Sequence, residues 1–509
     1  MAAGAAVIPK RNWYFCAIRK PTLGLYKSLF KQTAIYGLAT VLPRMLSFLL
    51  VRLYTGILPT ADYGEVSVLL AYMVFFNVIL SYGMETAFFR FYNSTDNKQN
   101  VVATSIISIF WSSLLFLVVA LLFRNTLGQM TNVDSQYITY AIWILVLDAL
   151  VIIPFSRLRA KQRPAAYAML KIGNVVVNLG LNVFFLLFLP EIAAANPDSL
   201  ISSLYVENFE IGYIFVSNLV ASLLTFLVLS PNYLAIQWHF DAGLWKKMMQ
   251  YGWPILFAGI AFAINEHFDK ILLEKLLPPN IAKSEVGAYS ACYKLALFMT
   301  LFATAFRLGI EPFFFSHAQN ENAKQTYAVI TKFFVIFGSI ILLAVIVTAD
   351  LLKPLLLDNR AYWKAMKVVP LIILANFFLG IYTNLSVWYK LIDKTRIGAY
   401  ISLVGAFVTL ALNFLLIPEY SYYGSAIATL AAYGTMMFIS YYLGNKYYPI
   451  PYDLKKIAAY LVVSIGFSAI SFYGFRENYY VGSGLLAIFI GFIYYSERDV
   501  FNSILKKGS

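Results

Sequence analysis

The chain has 509 residues, of which 60% are hydrophobic and 13% are charged, and its mean hydropathy is +0.70. Soluble domains are nearer half apolar and a quarter charged, so the composition excludes an ordinary soluble protein and indicates one that is solvated by lipid. Two cysteines, Cys16 and Cys292, are too few for a disulfide framework. The net charge is +14, and the positions of the basic residues along the chain are more informative than this sum.

The first predicted element is a basic N-terminal segment, residues 1–30, which is expected to lie at the cytoplasmic surface of the membrane. Apolar stretches long enough to span a bilayer follow it, about fourteen in number. They are predicted near residues 33–57, 65–89, 101–123, 137–156, 165–189, 210–229, 250–275, 286–309, 325–349, 364–388, 397–417, 422–444, 456–474 and 479–496.

Basic residues are distributed unevenly between the predicted loops. The N terminus, every second loop and the C terminus hold roughly 24 lysines and arginines, whereas the opposite loops hold roughly 9. Because basic residues favour cytoplasmic loops, both termini are predicted to lie on the cytoplasmic side of the membrane. Every loop is short, so no soluble catalytic domain is expected and the chain is not predicted to be an enzyme.

A weak internal repeat relates the two halves of the chain. Tyr36-Gly37 and Tyr251-Gly252 open the first and seventh predicted spans, and Thr86-Ala87-Phe88 and Thr304-Ala305-Phe306 close the second and eighth. Each half holds six predicted spans, and because six is even both halves enter the membrane from the cytoplasmic side. This predicts a parallel pseudo-twofold repeat with a site between the halves. The predicted fold is all-α, with an N-lobe at 31–230, a linker at 231–248, a C-lobe at 249–444 and two further helices within 445–509.

Basic residues inside the predicted spans are the sharpest functional signal, because each costs about 2.5–3.5 kcal/mol at the bilayer centre. Arg44 lies at mid-depth beside Pro43, Arg52 lies nearer the outer end of the same span, and Lys294 lies in span eight. They bind an anionic substrate, or they pair with acids and carbonyls to lock helices together. Gating or structural roles are assigned to four charges near span ends: Glu85, Arg90, Arg307 and Glu311.

Span five carries a polar stripe made of Lys171, Asn174, Asn178 and Asn182. At about 100° per residue these side chains fall on one face of a helix. Such a stripe lines an aqueous cavity or joins helices by hydrogen bonds. The lysine among the amides favours the cavity, so all four residues are predicted to bind substrate.

Acidic candidates lie in spans seven and four. Glu266 precedes Lys270 by four residues, an order that favours a helical ion pair. Such a pair would be structural, whereas the alternative is a site for H⁺ or Na⁺ coupling at Glu266, Asp269 or Asp148. His267 is interpreted as a packed side chain rather than a metal ligand.

Two kinds of motif are missing from the sequence. No Gly-rich loop ends in Gly-Lys-Ser/Thr, so ATP is not expected to drive the chain directly. No His/Cys cluster has the spacing of a metal site. The sequence therefore predicts no cofactor, no metal and no nucleic acid partner.

The first two spans carry the motifs that are most informative about family. They include Leu50-Val51-Arg52-Leu53-Tyr54-Thr55, Asp62-Tyr63-Gly64 and Tyr82-Gly83-Met84-Glu85-Thr86-Ala87-Phe88-Phe89-Arg90-Phe91. The chain thereby resembles polysaccharide biosynthesis proteins of the O-antigen flippase type, in particular members from Bacteroidetes. These belong to the multidrug/oligosaccharidyl-lipid/polysaccharide exporter superfamily. Arg52 departs from the pattern, because proline is expected there in many relatives.

The resemblance implies a V-shaped bundle of two lobes that alternates between inward- and outward-open states. It implies an undecaprenyl-diphosphate-linked oligosaccharide as substrate, for O-antigen or other surface polysaccharide, with a polymerase, glycosyltransferases and membrane lipids as partners. Arg44, Lys171 and Lys294 are then predicted to hold the diphosphate together. The alternatives are a lipid II flippase, a cation-coupled drug exporter of the same superfamily or, as a different class, an integral glycosyltransferase or polymerase.

Overall fold

The computed structural model describes residues 23–316, 322–392 and 394–507, and within these ranges the chain forms helices and no strands. The prediction of an all-α polytopic membrane protein is confirmed. The long helices are, in chain order, α1 (Leu23–Ile57), α2 (Thr60–Ser94), α3 (Lys98–Leu122), α4 (Ser135–Ala160), α5 (Pro164–Ala195), α6 (Glu210–Leu234), α7 (Ala242–Leu276), α8 (Pro279–Ile310), α9 (Ala323–Val347), α10 (Arg360–Leu391), α11 (Thr395–Tyr447), α12 (Leu454–Gly474) and α13 (Tyr479–Lys507).

Twelve helices in the described ranges are long and apolar enough to cross a membrane. The 53-residue α11 counts once among them, although it bends at Ser421, where φ is 51° and ψ is −138°. The 35-residue α7 is not among the twelve, because polar and charged residues lower its hydropathy. The total of fourteen spans and the lobe boundaries stay predictions, and most of the predicted segment 1–30 lies outside the described residues.

The two halves of the chain pack closely where α2 crosses α8, at the end of the bundle that holds the α1–α2 and α7–α8 turns. A Cβ atom on Gly64 would collide with the carbonyl of Lys283, and one on Gly287 would collide with the carbonyl of Thr60. Only glycine lets two helix backbones approach this closely. This end of the bundle, which the loop charges predict to face outward, is therefore sealed between α2 and α8.

A second close approach joins α2 to α7 nearer the opposite end. α2 is bent at Tyr82 and Gly83, which have φ values of 31° and 72°. The positive φ of Gly83 suits a residue without a Cβ, and its Cα faces the backbone of Gly252 on α7. Asp241 caps the start of α7, and hydrogen bonds from the Leu244 N–H and the Asn100 amide hold its pKa below the usual range.

The last two helices are attached to the second half of the chain by a buried carboxylate. Glu497 on α13 is fully buried and accepts hydrogen bonds from Lys332 on α9 at 2.6 Å and from Lys456 on α12 at 3.0 Å. The Tyr460 hydroxyl donates to the same carboxylate at 2.9 Å. A buried charge needs such partners, so this cluster fixes α12 and α13 against α9.

Candidate functional site

A cavity of about 400 Å³ lies between α1 of the first half of the chain and α7, α8 and α10 of the second half. Its wall contains five basic or acidic side chains, which are Arg44, Glu266, His267, Lys294 and Arg307. A larger space of about 750 Å³ lies between α2, α3 and α7, but its lining is aromatic and aliphatic with two serines and no charged residue. The smaller cavity is therefore the candidate site for a charged ligand.

Arg44 links the two halves of the chain at the cavity. It lies on α1 directly after Pro43, which cannot donate a backbone hydrogen bond within the helix. Arg44 Nη1 donates to Thr304 Oγ1 on α8 at 3.0 Å. The guanidinium carries five N–H donors in a planar fork, the geometry that suits an anion with several oxygens.

Lys294 enters the cavity from a break in α8. Residues Lys294–Ala296 form a turn of 3₁₀ helix between two α-helical segments. Among the side chains that the structure describes, no carboxylate lies within 4 Å of Lys294 Nζ. Short 3₁₀ stretches inside helices often mark functional or strained positions, and here one carries a cation at the cavity wall.

Glu266 is the one carboxylate in the cavity wall among the described residues. The Tyr433 hydroxyl on α11 donates to Glu266 Oε1 at 2.6 Å. Of the two alternatives that the sequence left open for Glu266, the structure does not form the ion pair with Lys270, because Lys270 Nζ lies 2.9 Å from Asp269 Oδ1 instead. Asp269 also accepts a hydrogen bond from the Tyr289 hydroxyl at 2.8 Å. Asp269 is thus the ion-pair partner of Lys270, and Glu266 faces the cavity.

Arg307 was assigned a role near a span end, but the structure shows it in the cavity wall. It is accompanied on α8 by Thr300, Ala303 and Thr304, and on α10 by Asn376, Gly380 and Thr383. Both sets repeat at intervals of three, four and seven residues, which is the spacing of one helix face. That spacing is visible in the sequence and would have placed the members of each set on one helix face, but it does not show that the two faces meet at a cavity.

Lys171 and Asp148 lie away from the cavity lining, within the first half of the chain. Lys171 Nζ is 4.4 Å from the centre of the Phe155 ring, and its charge interacts with that of Asp148. Ser222 donates to Asp148 Oδ1 at 2.8 Å. In this conformation the predicted trio of Arg44, Lys171 and Lys294 is therefore not assembled in one cavity, because α5 turns Lys171 toward α4.

The asparagines of α5 form helix contacts. Asn174 donates to Thr225 on α6 at 3.0 Å, and Tyr54 on α1 donates to Asn182 at 2.9 Å. Asn182 is fully buried and donates to Asn178 Oδ1 at 2.8 Å. These bonds support helix association, the alternative that the sequence did not favour, and a binding role for the three amides stays a prediction.

The remaining predicted charges are spread over the surface of the bundle. Glu85 forms an ion pair with Arg159 at 2.8 Å, and the Arg90 guanidinium lies 4.3 Å from the centre of the Tyr251 ring. Arg52 lines a separate groove near the end of α1. The side chain of Glu311 lies outside the described part of the structure.

The chain is similar to known families in sequence and to solved structures in fold. A family described as "Polysaccharide biosynthesis protein" matches residues 29–305, and a family described as MatE matches residues 254–415. No curated protein sequence matches the chain.

Several solved structures share the fold at low sequence identity. "Lipid II flippase MurJ, inward closed conformation" has a TM-score of 0.70 and 14% identity, covering 92% of this chain and 100% of that one. An inward-facing "multidrug resistance MATE family transporter of the MOP superfamily" has a TM-score of 0.61 and 11% identity, covering 83% and 96%. A MOP superfamily transporter from Pyrococcus furiosus has a TM-score of 0.55 and 12% identity, covering 85% and 96%.

Proposed function

The chain belongs to the polysaccharide biosynthesis protein family, and from that premise we propose that it is a flippase for an undecaprenyl-diphosphate-linked oligosaccharide. It moves this lipid from the cytoplasmic to the outer leaflet of a bacterial inner membrane by alternating access. The product then supplies a polymerase that builds a surface polysaccharide such as O-antigen. The observation that carries the proposal is the cationic cavity between the two halves of the chain.

The cavity has the chemistry that a diphosphate requires. Arg44, Lys294 and Arg307 supply three cations against the single carboxylate of Glu266. Arginine engages phosphate oxygens bidentately and lysine acts as a point charge, so the set suits an anion with several oxygens. A volume of about 400 Å³ suits a headgroup, while the lipid tail stays in the bilayer.

Walls drawn from both halves of the chain suit a site that changes its side of access. Arg44 comes from the first half, whereas Lys294, Arg307 and Glu266 come from the second. If one half rocks against the other, the anion stays bound while the opening moves from one face to the other. Glu266 is proposed to couple this motion to H⁺ or Na⁺, because it is the one carboxylate in the cavity wall among the described residues.

Transport in proteoliposomes tests the proposal. The purified chain is reconstituted with a fluorescent lipid-linked oligosaccharide, and flipping is measured as the fraction of glycan that an external glycosidase reaches. Arg44→Ala and Lys294→Ala should each lower the rate about tenfold or more, because each removes a charged hydrogen bond of about 1.5–3 kcal/mol. Lys247→Ala, at an exposed position at the start of α7, is the control and should retain the rate.

Lys171→Ala distinguishes the cavity from the wider three-cation site. If this variant transports at the normal rate, the binding site consists of the cavity residues without Lys171. If it loses as much transport as Arg44→Ala, Lys171 also binds the substrate. Normal transport by a well-inserted Arg44→Ala, Lys294→Ala double variant would contradict the proposed function.

A lipid II flippase is the second candidate, because the diphosphate chemistry of the cavity is shared and a structure named as such a flippase has the same fold. A cation-coupled drug exporter fits less well, because three cations in the cavity would repel a cationic drug. Offering both lipids in the same vesicles separates the first two candidates by rate.

A further inference from the structure

Arg52 occupies an unusual position at the surface of α1. It lies five residues before the helix ends at Ile57, which places it roughly 7–8 Å below that end at about 1.5 Å per residue. Its side chain is 53% exposed even though its helix crosses the membrane. An exposed arginine at this depth is at the level of the lipid headgroups of the predicted outer leaflet.

The partners of Arg52 hold it loosely. Arg52 Nη1 donates to the Leu355 carbonyl at 3.0 Å, and Nη2 lies 3.6 Å from Asp358 Oδ1. The Asp358 side chain is 57% exposed, so water and ions reach both members of the pair. A guanidinium with five donors therefore keeps several of them available to a second anion.

A groove of about 440 Å³ begins beside this arginine. It is lined by aliphatic side chains of α1 and by one leucine of α5, with Asp358 of the second half of the chain at its edge. The aliphatic residues are Leu49, Leu53, Ile57 and Leu187. Leu49 and Leu187 are exposed, so the groove is open to the surrounding lipid.

The groove is separate from the central cavity but shares a helix with it. No lining residue is common to the two, and Arg44 and Arg52 point about 80° apart around α1. Both spaces have walls from the first and the second half of the chain. The groove therefore lies on the same seam between the halves, about two helical turns nearer the predicted outside.

We propose that Arg52 and this groove form an exit station for the cargo, which binds the diphosphate and the first prenyl units of the lipid in the outer leaflet. The proposal rests on the proposed flippase function. The aliphatic wall takes the prenyl chain, and the Arg52 guanidinium takes the diphosphate bidentately.

Asp358 makes the site selective among lipids. Its carboxylate competes for Arg52, so an incoming lipid must displace it. A diphosphate carries more negative charge than the single phosphodiester of an ordinary anionic phospholipid, and it displaces the carboxylate more readily. The loose ion pair between Arg52 and Asp358 thus favours the cargo over the bulk membrane and releases it again when the pair re-forms.

Direct binding tests the station without relying on transport. The full chain carrying Arg44→Ala and Lys294→Ala, which disables the central cavity, is placed in nanodiscs of zwitterionic lipid and titrated with radiolabelled farnesyl diphosphate. Adding Arg52→Ala should weaken binding about tenfold, the effect of losing one charged hydrogen-bonded contact. Adding Asp358→Asn should instead strengthen binding several-fold, because the competing carboxylate is gone. Arg163→Ala, an exposed arginine in the basic loop between α4 and α5, should change nothing.

The opposite signs of the two variants separate a ligand site from a structural ion pair. If Arg52→Ala has no effect, or if Arg52→Ala and Asp358→Asn weaken binding equally, the proposal is overturned. Equal competition by phosphatidylglycerol would show a general anionic-lipid site, and equal competition by inorganic pyrophosphate would show that the groove contributes nothing. Either result overturns the proposal too. Failure of the proposed function would be seen in a separate measurement, as normal flipping by the variant that carries Arg44→Ala and Lys294→Ala.

Discussion

Lys283 on α8 forms an ion pair with Glu65 on α2 at 2.5 Å. Glu65 directly follows Gly64, whose close contact with the Lys283 carbonyl packs the same two helices together. Thr60 and Ser284 share a hydrogen bond of 2.7 Å beside it. These contacts join the two halves of the chain at the predicted outer end. In the proposed alternating-access cycle this end must open, so we expect the crossing to act as an outer gate.

The glycine contact should be intolerant of even one methyl group. Gly64→Ala forces a Cβ into the Lys283 carbonyl, so α2 and α8 must separate and the melting temperature of the purified protein should fall. Gly173→Ala on α5 is the matched control, because nothing lies within 4 Å of the added Cβ and alanine favours the helix by about 0.5–1 kcal/mol. Equal melting temperatures for the two variants would contradict the close packing.

The ion pair at the crossing should bias the conformation. Glu65→Gln leaves Lys283 without its partner and should make the outer end open more often. A cysteine at Thr300 in the cavity wall would then react faster with an impermeant thiol reagent added from outside. The charge swap Glu65→Lys with Lys283→Glu should restore slow labelling, and unchanged labelling in all variants would rule out a gating role.

Neutralising Glu266 should separate coupling from binding. Glu266→Gln keeps the shape and can still accept the Tyr433 hydrogen bond, but it cannot bind a proton or Na⁺ as a carboxylate does. Gradient-driven flipping should fall strongly while binding of the lipid diphosphate is retained or rises. Asp269→Asn serves as a comparison, since it leaves Lys270 without its ion pair and should lower stability instead. If Glu266→Gln keeps its full response to the gradient, the coupling site lies elsewhere, and Asp148 is the next candidate.

The polar stripe of α5 should behave as a helix contact at its buried end. Asn182→Ala removes the partner of the Tyr54 hydroxyl, at an expected cost of about 0.6–1.7 kcal/mol for an interhelical hydrogen bond in a membrane protein. Cysteine at position 182 should resist water-soluble thiol reagents, whereas cysteine at the exposed Lys171 should react. Rapid labelling at both positions would support the water-lined alternative.

The predicted topology can be tested independently of the site. Reporter fusions at Gln162 and Pro197, on either side of α5, should report the cytoplasm and the outside respectively, because the first loop is basic and the second acidic. Fusions that report the same side would overturn the orientation, and with it the assignment of the outer end.

The sequence by itself determined the class of the protein. Apolar stretches of bilayer length, short loops and asymmetric loop charge indicate a helical membrane protein, since lipid allows only helices and closed barrels and stretches of about 20 apolar residues fit helices. The motifs of the first two spans were sufficient for the family, which the match to residues 29–305 confirms. The cost of placing a charge within the membrane also identified Arg44, Lys294 and Glu266 as residues that need a partner or a ligand.

Only the tertiary structure decided which of these charges share a space. Helical periodicity gives the face on which a side chain lies, but not the neighbouring helix that this face meets. Lys171 and Lys294 look alike in the sequence, yet the first lies over the Phe155 ring of the first half and the second lines the cavity together with Arg44. Arg307 looked like an end charge, and the crossing of α1, α8 and α10 made it part of the site. Partners as far apart in the chain as Arg44 and Thr304 meet only through packing, which no local pattern encodes.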